Sequence, residues 1–361
     1  MLPTRNTEEP FYWAITASVL IVEWLGIHLT NFTKIRFFKR IGIVIACMIL
    51  VAITGLRYGI GTDYFAYQDI YYETLLSKRI GSEEIGIRVV ALVSAFFSNS
   101  NNPELFFILC SCIFFGFTFY AIDKMSPNII LSTFLLIAAG FFFFYMNIMR
   151  QMLAASILLA SLNFAAKKKT IPFLLLVALA TSFHWSAIVF VVVWFIPYFS
   201  NRILKLVGLV LIILSLSGYL TNIMIYVGNY SGRYERYINS SYSNGNLAII
   251  SVLVYSATTL FSYLANKEKS KENGLYRTLL ASLFISCLIA SLSGSLTLAD
   301  RLCRYFSMPL IILLPTALSL LRSKHMRFLF TMSIATLFII YAQINFGLLG
   351  SAGVVPYQSI F

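Results

Sequence analysis

The run Ile41-Gly-Ile-Val-Ile-Ala-Cys-Met-Ile-Leu50-Val-Ala-Ile-Thr-Gly-Leu56 leads directly into Arg57-Tyr-Gly-Ile-Gly-Thr-Asp63-Tyr64-Phe-Ala-Tyr67. An uncharged, mostly apolar stretch of this length rises about 24 Å as a helix, close to the roughly 30 Å of a bilayer's hydrocarbon core. The glycine-bearing loop that follows, with its arginine and aspartate, is therefore expected where a membrane helix leaves the lipid. The same alternation of long apolar runs and short polar breaks fills the rest of the chain.

Of 361 residues, 59% are hydrophobic and 11% charged, against about 25% charged in a soluble domain. The fold expected is all-α: a single polytopic integral membrane domain over residues 1–361, with about 12 transmembrane helices, bracketed by 11 and 14. No segment is polar and long enough for a separate soluble domain. The net charge of +13 does not form one patch, so no nucleic-acid partner is expected. The basic residues gather between apolar runs, at Lys34, Arg36, Lys39 and Arg40, at Lys167 to Lys169, at Lys267, Lys269 and Lys271, and at Arg322, Lys324 and Arg327. Such clusters mark cytoplasmic loops, with anionic membrane lipids as neighbours. The five cysteines lie in apolar runs without CxxC spacing, which reads as packing. The first run, Phe11–Leu29, contains Glu23 and follows Glu8 and Glu9; a cleaved signal would want a basic start, so a retained helix is expected.

Placing the clusters inside orients the chain. Both termini fall outside, and residues 57–102 and 222–246 become external loops. Ile85–Ser98 carries Arg88 and is short, so it reads as a re-entrant or interfacial helix. The run from Asn128 to Ala166 exceeds one span of about 20 residues and should break near Asn147–Gln151. Ile171–Phe199 could be one tilted helix, but placing both Lys167–Lys169 and Arg202/Lys205 inside favours a crossing up and back, with Thr181–Ser186 at the external apex.

This topology brings the isolated polar residues to one face: Arg57, Asp63, Arg150, Gln151, His184, Arg233, Arg236, Asp300, Arg301 and Arg304. A charge at a helix centre costs about 2.5–3.5 kcal/mol, so such residues face a cavity or a partner. Each also has a plain explanation. Arg57 could snorkel, Asp63 could shape the turn after Gly61, Gln151 could cap a helix, and His184 could bond at a bend. Arg233 and Arg236 could be solvated, and Asp300 could neutralise Arg301 or Arg304. Arg150 is harder to dismiss, since it interrupts an apolar run without another charge nearby. Arg301 and Arg304, at i and i+3, share a helix face on the side where positive charge is unusual. Jointly, several arginines with few acidic partners imply an anionic ligand. The planar guanidinium suits a diphosphate because it donates bidentately and keeps its charge when partly desolvated. Tyr and Trp near the external ends could stack on sugars, although interfacial aromatic belts are the commoner cause. No HExxH, DxD, CxxC or Walker-type motif is present, and neither a metal nor another cofactor is expected.

The residues Gly55-Leu-Arg57-Tyr-Gly-Ile-Gly61-Thr62-Asp63-Tyr64-Phe-Ala-Tyr67 resemble the first external loop of EpsG-type proteins, the Wzy-like polymerases of bacterial exopolysaccharide synthesis. Arg150-Gln151-Met-Leu-Ala154, Ala180-Thr-Ser-Phe-His184-Trp-Ser186, Arg301-Leu-Cys-Arg304-Tyr305-Phe306 and the terminal Val-Val-Pro356-Tyr357 follow in the family's order. Glu83-Glu84-Ile85-Gly86 matches a Glu-Pro-Gly-type helix start only loosely, since proline is missing. The resemblance implies a multi-pass protein of the bacterial cytoplasmic membrane, with its active site facing outside. There it would join polyprenyl-diphosphate-linked oligosaccharide repeat units, and a GT-C-like architecture is compatible with that role. Arg57, Arg150, Gln151, Arg301, Arg304, Tyr64, Arg233 and Arg236 would then bind substrate. Asp63 or His184 would deprotonate the acceptor. A flippase and a chain-length regulator are the protein partners such a role implies. The rival readings are a lipid-linked oligosaccharide flippase or transporter, a glycan ligase and, through His184, an integral acyltransferase.

Overall fold

The computed structural model describes residues 9–76, 84–98, 102–217, 222, 226, 245–265, 274–291 and 297–360. Helices α1 (Glu9–Thr33) and α2 (Phe37–Gly55) form an antiparallel pair, followed by the short α3 (Tyr64–Leu75) and α4 (Ile85–Ser98). Then come α5 (Glu104–Met125), α6 (Ile129–Ala138), α7 (Phe141–Asn147), α8 (Met149–Ala166) and α9 (Thr170–Phe183). A 3-10 helix over Trp185–Tyr198 precedes α10 (Asn201–Leu216), α11 (Gly245–Ala265) and α12 (Gly274–Ser291). The chain closes with α13 (Thr297–Ser307), α14 (Leu310–Leu320), α15 (Lys324–Ala342), a π-helical turn at Gln343–Leu348 and an extended tail.

The core is built around α8. Its few polar residues are scattered around the helix rather than gathered on one face, the pattern of a helix surrounded by protein, and 83% of it is buried. Ala154, Ala155, Ser156, Ala160 and Ser161 have no exposed surface, and such small residues let neighbouring backbones approach closely in a membrane. Helices α5, α9, α12 and α13 pack around it.

The two ends of the bundle differ in charge. Lys39 of α2 pairs with Asp123 of α5 at 2.9 Å, which puts the last turn of α5 beside the first basic cluster. Lys39, Asn128 and Arg327 line one cavity, Lys168 lies 4.7 Å from the Tyr198 ring, and Gly274 abuts the Ala166 carbonyl. Three basic clusters therefore share one end; Lys267, Lys269 and Lys271 lie outside the described residues. Arg57 marks the opposite end, where Met146 also lies. The C-terminal tail returns there: Tyr58 N donates to Gln358 O, and Ile360 N to Leu56 O, both at 3.0 Å. Tyr12 of α1 donates to Val354 O, so both described chain ends lie at the Arg57 end, as the charge pattern requires.

Two expected breaks are present. The α6–α7 pair bends by 48° about Gly140 at φ +90°, and α8 starts two residues after Asn147. The chain also reverses at His184, whose extended backbone separates α9 from the 3-10 helix. A 3-10 helix rises about 2 Å per residue, so that segment covers about 28 Å and brings Tyr198 back to Lys168.

Length and composition bear out part of the expected span count. Among the described residues, seven helices are long and apolar enough to cross a membrane, or eight with the bent α6–α7 pair counted as one span. Ile85–Ser98, Thr170–Phe183, Trp185–Tyr198 and Ile250–Ala265 are apolar but shorter. Length and composition thus identify seven or eight of the expected spans and leave these four shorter helices uncounted; as α-helices, the 14-residue α4 and α9 reach about 21 Å. Helix α4 is one of these. It packs on α3, α5 and α9 and leaves Ile85, Phe96 and Phe97 exposed.

Candidate functional site

The candidate site stands at the Arg57 end, where the first turns of α4 and α8 meet the last turn of α9. Gly86 permits the approach of α4. A Cβ there would sit 2.8 Å from Ser182 Oγ and 2.9 Å from Ser182 O, so any larger residue would push α4 away from α9. That contact delivers Glu84, just ahead of α4, to His184. Glu84 Oε1 lies 3.0 Å from His184 Nδ1, and Glu84 Oε2 accepts from Arg150 Nη1 at 2.6 Å. One carboxylate thus bridges the two residues that the sequence singled out on separate helices.

The pair is well shielded, with Glu84 10% exposed and His184 12%. Burial pushes the Glu84 carboxyl up, but the His184 hydrogen bond and the charge of Arg150 outweigh it and hold the group down at about 2. Charge-assisted bonds of this kind are about twice as strong as neutral ones. With Nδ1 turned to the carboxylate, Nε2 is the ring nitrogen left to take a proton, the arrangement by which carboxylates orient catalytic histidines.

Helix α3 closes the cluster. It buries Tyr64, Tyr67 and Tyr71, spaced along one helical face, and the Tyr67 hydroxyl accepts from Arg150 N at 3.4 Å. Burial raises the Tyr67 hydroxyl to about 12, against the lowering effect of Arg150, so it stays protonated. Asp63 precedes α3 by one residue and accepts from Thr62 Oγ1 at 3.2 Å; Thr62 Oγ1 also donates to Asn147 Oδ1. Asp63 therefore lies one turn before the tyrosine that meets Arg150.

The structure places Arg57 differently from the other arginines. It has no exposed surface. Its guanidinium donates to the carbonyls of Thr54, Ile60 and Met146 and sits 5.0, 5.8 and 5.9 Å from the rings of Phe107, Tyr145 and Tyr64. Tyr64, in turn, stacks on Phe107 at 4.7 Å. Arg57 and Tyr64 thus tie the first loop to α5 and to the α7–α8 joint. Gly61 belongs to the same joint. Its φ is +91°, and a Cβ there would collide with the Met146 carbonyl, which leaves glycine as the residue that fits.

Gln151 is 3% exposed, and its Nε2 donates to the Arg301 carbonyl, joining the start of α8 to α13. The Arg304 guanidinium carbon lies 3.5 Å from the centre of the Phe144 ring, and Ser186 Oγ lies 2.9 Å from the Tyr305 hydroxyl. The segment carrying Arg301 and Arg304 therefore borders the Arg150 cluster through α7, α8 and the 3-10 helix. Arg233, Arg236 and the side chain of Asp300 lie outside the described residues. Among the described residues, no three His, Cys, Asp or Glu side chains converge as a metal site.

Residues 40–359 match the model of the EpsG family. The chain belongs to the EpsG family. This is a Wzy-like polymerase family, and membership points in general to exopolysaccharide polymerisation by a glycosyltransferase-like protein. No curated protein and no solved structure matches the chain, so the likeness to a GT-C architecture gains no support. Glu84 is the residue that this EpsG protein adds to the expected set. Its signal lay in Glu83-Glu84-Ile85-Gly86, where an acid immediately precedes a helix beginning Ile-Gly, but no spacing rule connects it to His184, a hundred positions away.

Proposed function

We propose that this EpsG protein joins oligosaccharide repeat units carried on polyprenyl diphosphate, by glycosyl transfer without a metal. The observation that carries this reading is the Glu84 bridge between Arg150 and His184, which sets a cation and an oriented base side by side. The positive-inside rule makes the three-cluster end cytoplasmic and the Arg57 end external, so the reaction faces outward.

In this mechanism the acceptor hydroxyl gives its proton to His184 Nε2 as its oxygen bonds to the anomeric carbon of the donor. The bond from that carbon to the diphosphate oxygen breaks, and its electron pair leaves with the diphosphate. Arg150, with Arg301 and Arg304, stabilises the charge that accumulates there, the role that fixed donors play at a developing oxyanion. Glu84 holds the imidazole in its base orientation. Arg57 and Gly61 are positioning residues, because they fix the joint from which Arg150 projects. Asp63 acts at the rim, one helical turn from Tyr67.

The test is chain extension by the purified full-length protein supplied with lipid-linked repeat units, with and without a chelator. Extension that survives chelation is the expected result. Absence of extension by intact protein overturns the polymerase reading, and chelator-sensitive extension overturns its metal-free form. Transfer of glycan to a different lipid or to protein would make the chain a ligase.

A further inference from the structure

The charged cluster accounts for the head of such a substrate and leaves its long hydrocarbon tail without a place. We propose that the open groove between α5, α8 and α9 holds the isoprenoid chain of the lipid-linked substrate. The inference rests on the lipid-linked reading above and adds a second binding region to it.

The groove has an accessible volume of about 530 Å³. On α5 its wall is one stripe, Cys112, Gly116 and Tyr120, spaced every four residues and therefore on one helical face. Gly116 forms the floor: a Cβ built there meets nothing within 4 Å. A glycine at a close helix contact lets backbones touch, whereas this one leaves a trough. Phe164 of α8 and Leu175 of α9 close the sides, so the walls are almost wholly hydrocarbon.

Its position relative to the charges selects the occupant. Along α8, Ala160 lies about 15 Å and Phe164 about 21 Å from Arg150. Phe164 is turned from Arg150 by only about 40° around the helix, so both point to one side of α8. Along α9, Leu176 lies about 12 Å from His184. The groove thus begins about 12–15 Å below the Arg150–Glu84–His184 bridge and continues toward the Lys39 end. Helix α4 packs against α5 and α9, the two outer walls, and shows an apolar outer face of Val89, Leu92, Val93 and Phe96. An anionic head beneath cations and a branched chain many isoprene units long match this charge pattern and this wide trough.

The decisive probe is a polyprenyl monophosphate bearing a photoactivatable diazirine on its third to fifth isoprene units. It would be irradiated with the full-length protein in lipid nanodiscs. Adducts on α5, α8 or α9 within the groove are expected, suppressed by unlabelled polyprenyl phosphate and not by phosphatidylglycerol. Adducts elsewhere, or equal suppression by phosphatidylglycerol, overturn the assignment. In the second arm Gly116→Phe fills the trough. It is expected to lower the ratio of kcat/KM for full-length over two-isoprene substrates by about tenfold, the scale of a few lost apolar contacts. An unchanged ratio overturns the inference. Should this variant fail to fold, Leu175→Trp obstructs the groove from α9. The photolabelling needs no turnover, so a protein that labels in the groove yet makes no polymer separates failure of the enzymatic reading from failure of this one.

Discussion

Replacing Glu84 by glutamine removes a charge from the centre of the site and almost no volume. The carboxyl is held at about 2 against an ordinary 4.5, so its ionised form gains on the order of 3 kcal/mol from its surroundings, at 1.36 kcal/mol per unit. The amide forfeits most of that interaction and leaves Arg150 without the carboxylate that meets it at 2.6 Å. If that energy holds His184 and Arg150 in their reacting geometry, kcat for chain extension should fall about a hundredfold. Membrane insertion and elution as a monodisperse species should persist. The sign of the pH dependence also follows. A depressed carboxyl contributes stability above its unfolded value and loses it as pH falls through the folded one. The thermal stability of the unaltered protein should therefore decline between about pH 4.5 and pH 2, and Glu84→Gln should flatten that decline. Extension at the unaltered rate, together with the same acid dependence, would refute the assigned role of Glu84.

Arg57→Met should reduce the yield of folded protein, since the carbonyls of Thr54, Ile60 and Met146 lose their donor at a cost on the order of 3 kcal/mol; size-exclusion profiles in detergent measure it. Arg150→Ala should keep that yield and lose extension instead, which separates the two arginines. Gly61→Ala should lower the unfolding temperature, because φ of +91° and the Met146 carbonyl together impose strain on the order of 1–3 kcal/mol. Single cysteines placed at Asn147, His184 and Arg304 should all react with an impermeant maleimide added outside intact cells; labelling of any one only after the cells are opened would break the shared-face arrangement.

Much of the frame was legible because a bilayer imposes a one-dimensional rule. Apolar runs must cross, and lysine clusters must stay on one side, so the reversal at His184 and the break near Asn147 followed from charge order. The span count was less legible. Helices α4, α9 and the 3-10 segment are apolar like the rest but run to only 14 residues each, below the length by which the other spans are counted. Within the site, Arg150 and His184 stood out because each is a polar residue in an apolar run. Glu84 did not, because an acid in a polar loop carries no local anomaly. Arg57 shows the converse: conspicuous at the edge of an apolar run, it proves to be enclosed by carbonyls and aromatic rings.

The sequence alone determined the all-helical membrane character, the side on which the basic clusters gather and membership of the family. These depend on transfer energies and motifs that are summed residue by residue along the chain. Only the tertiary structure decided which conspicuous residue is framework and which belongs to the site. It also brought Glu84 between Arg150 and His184, since burial and ion pairing depend on distances between segments that are far apart in the chain.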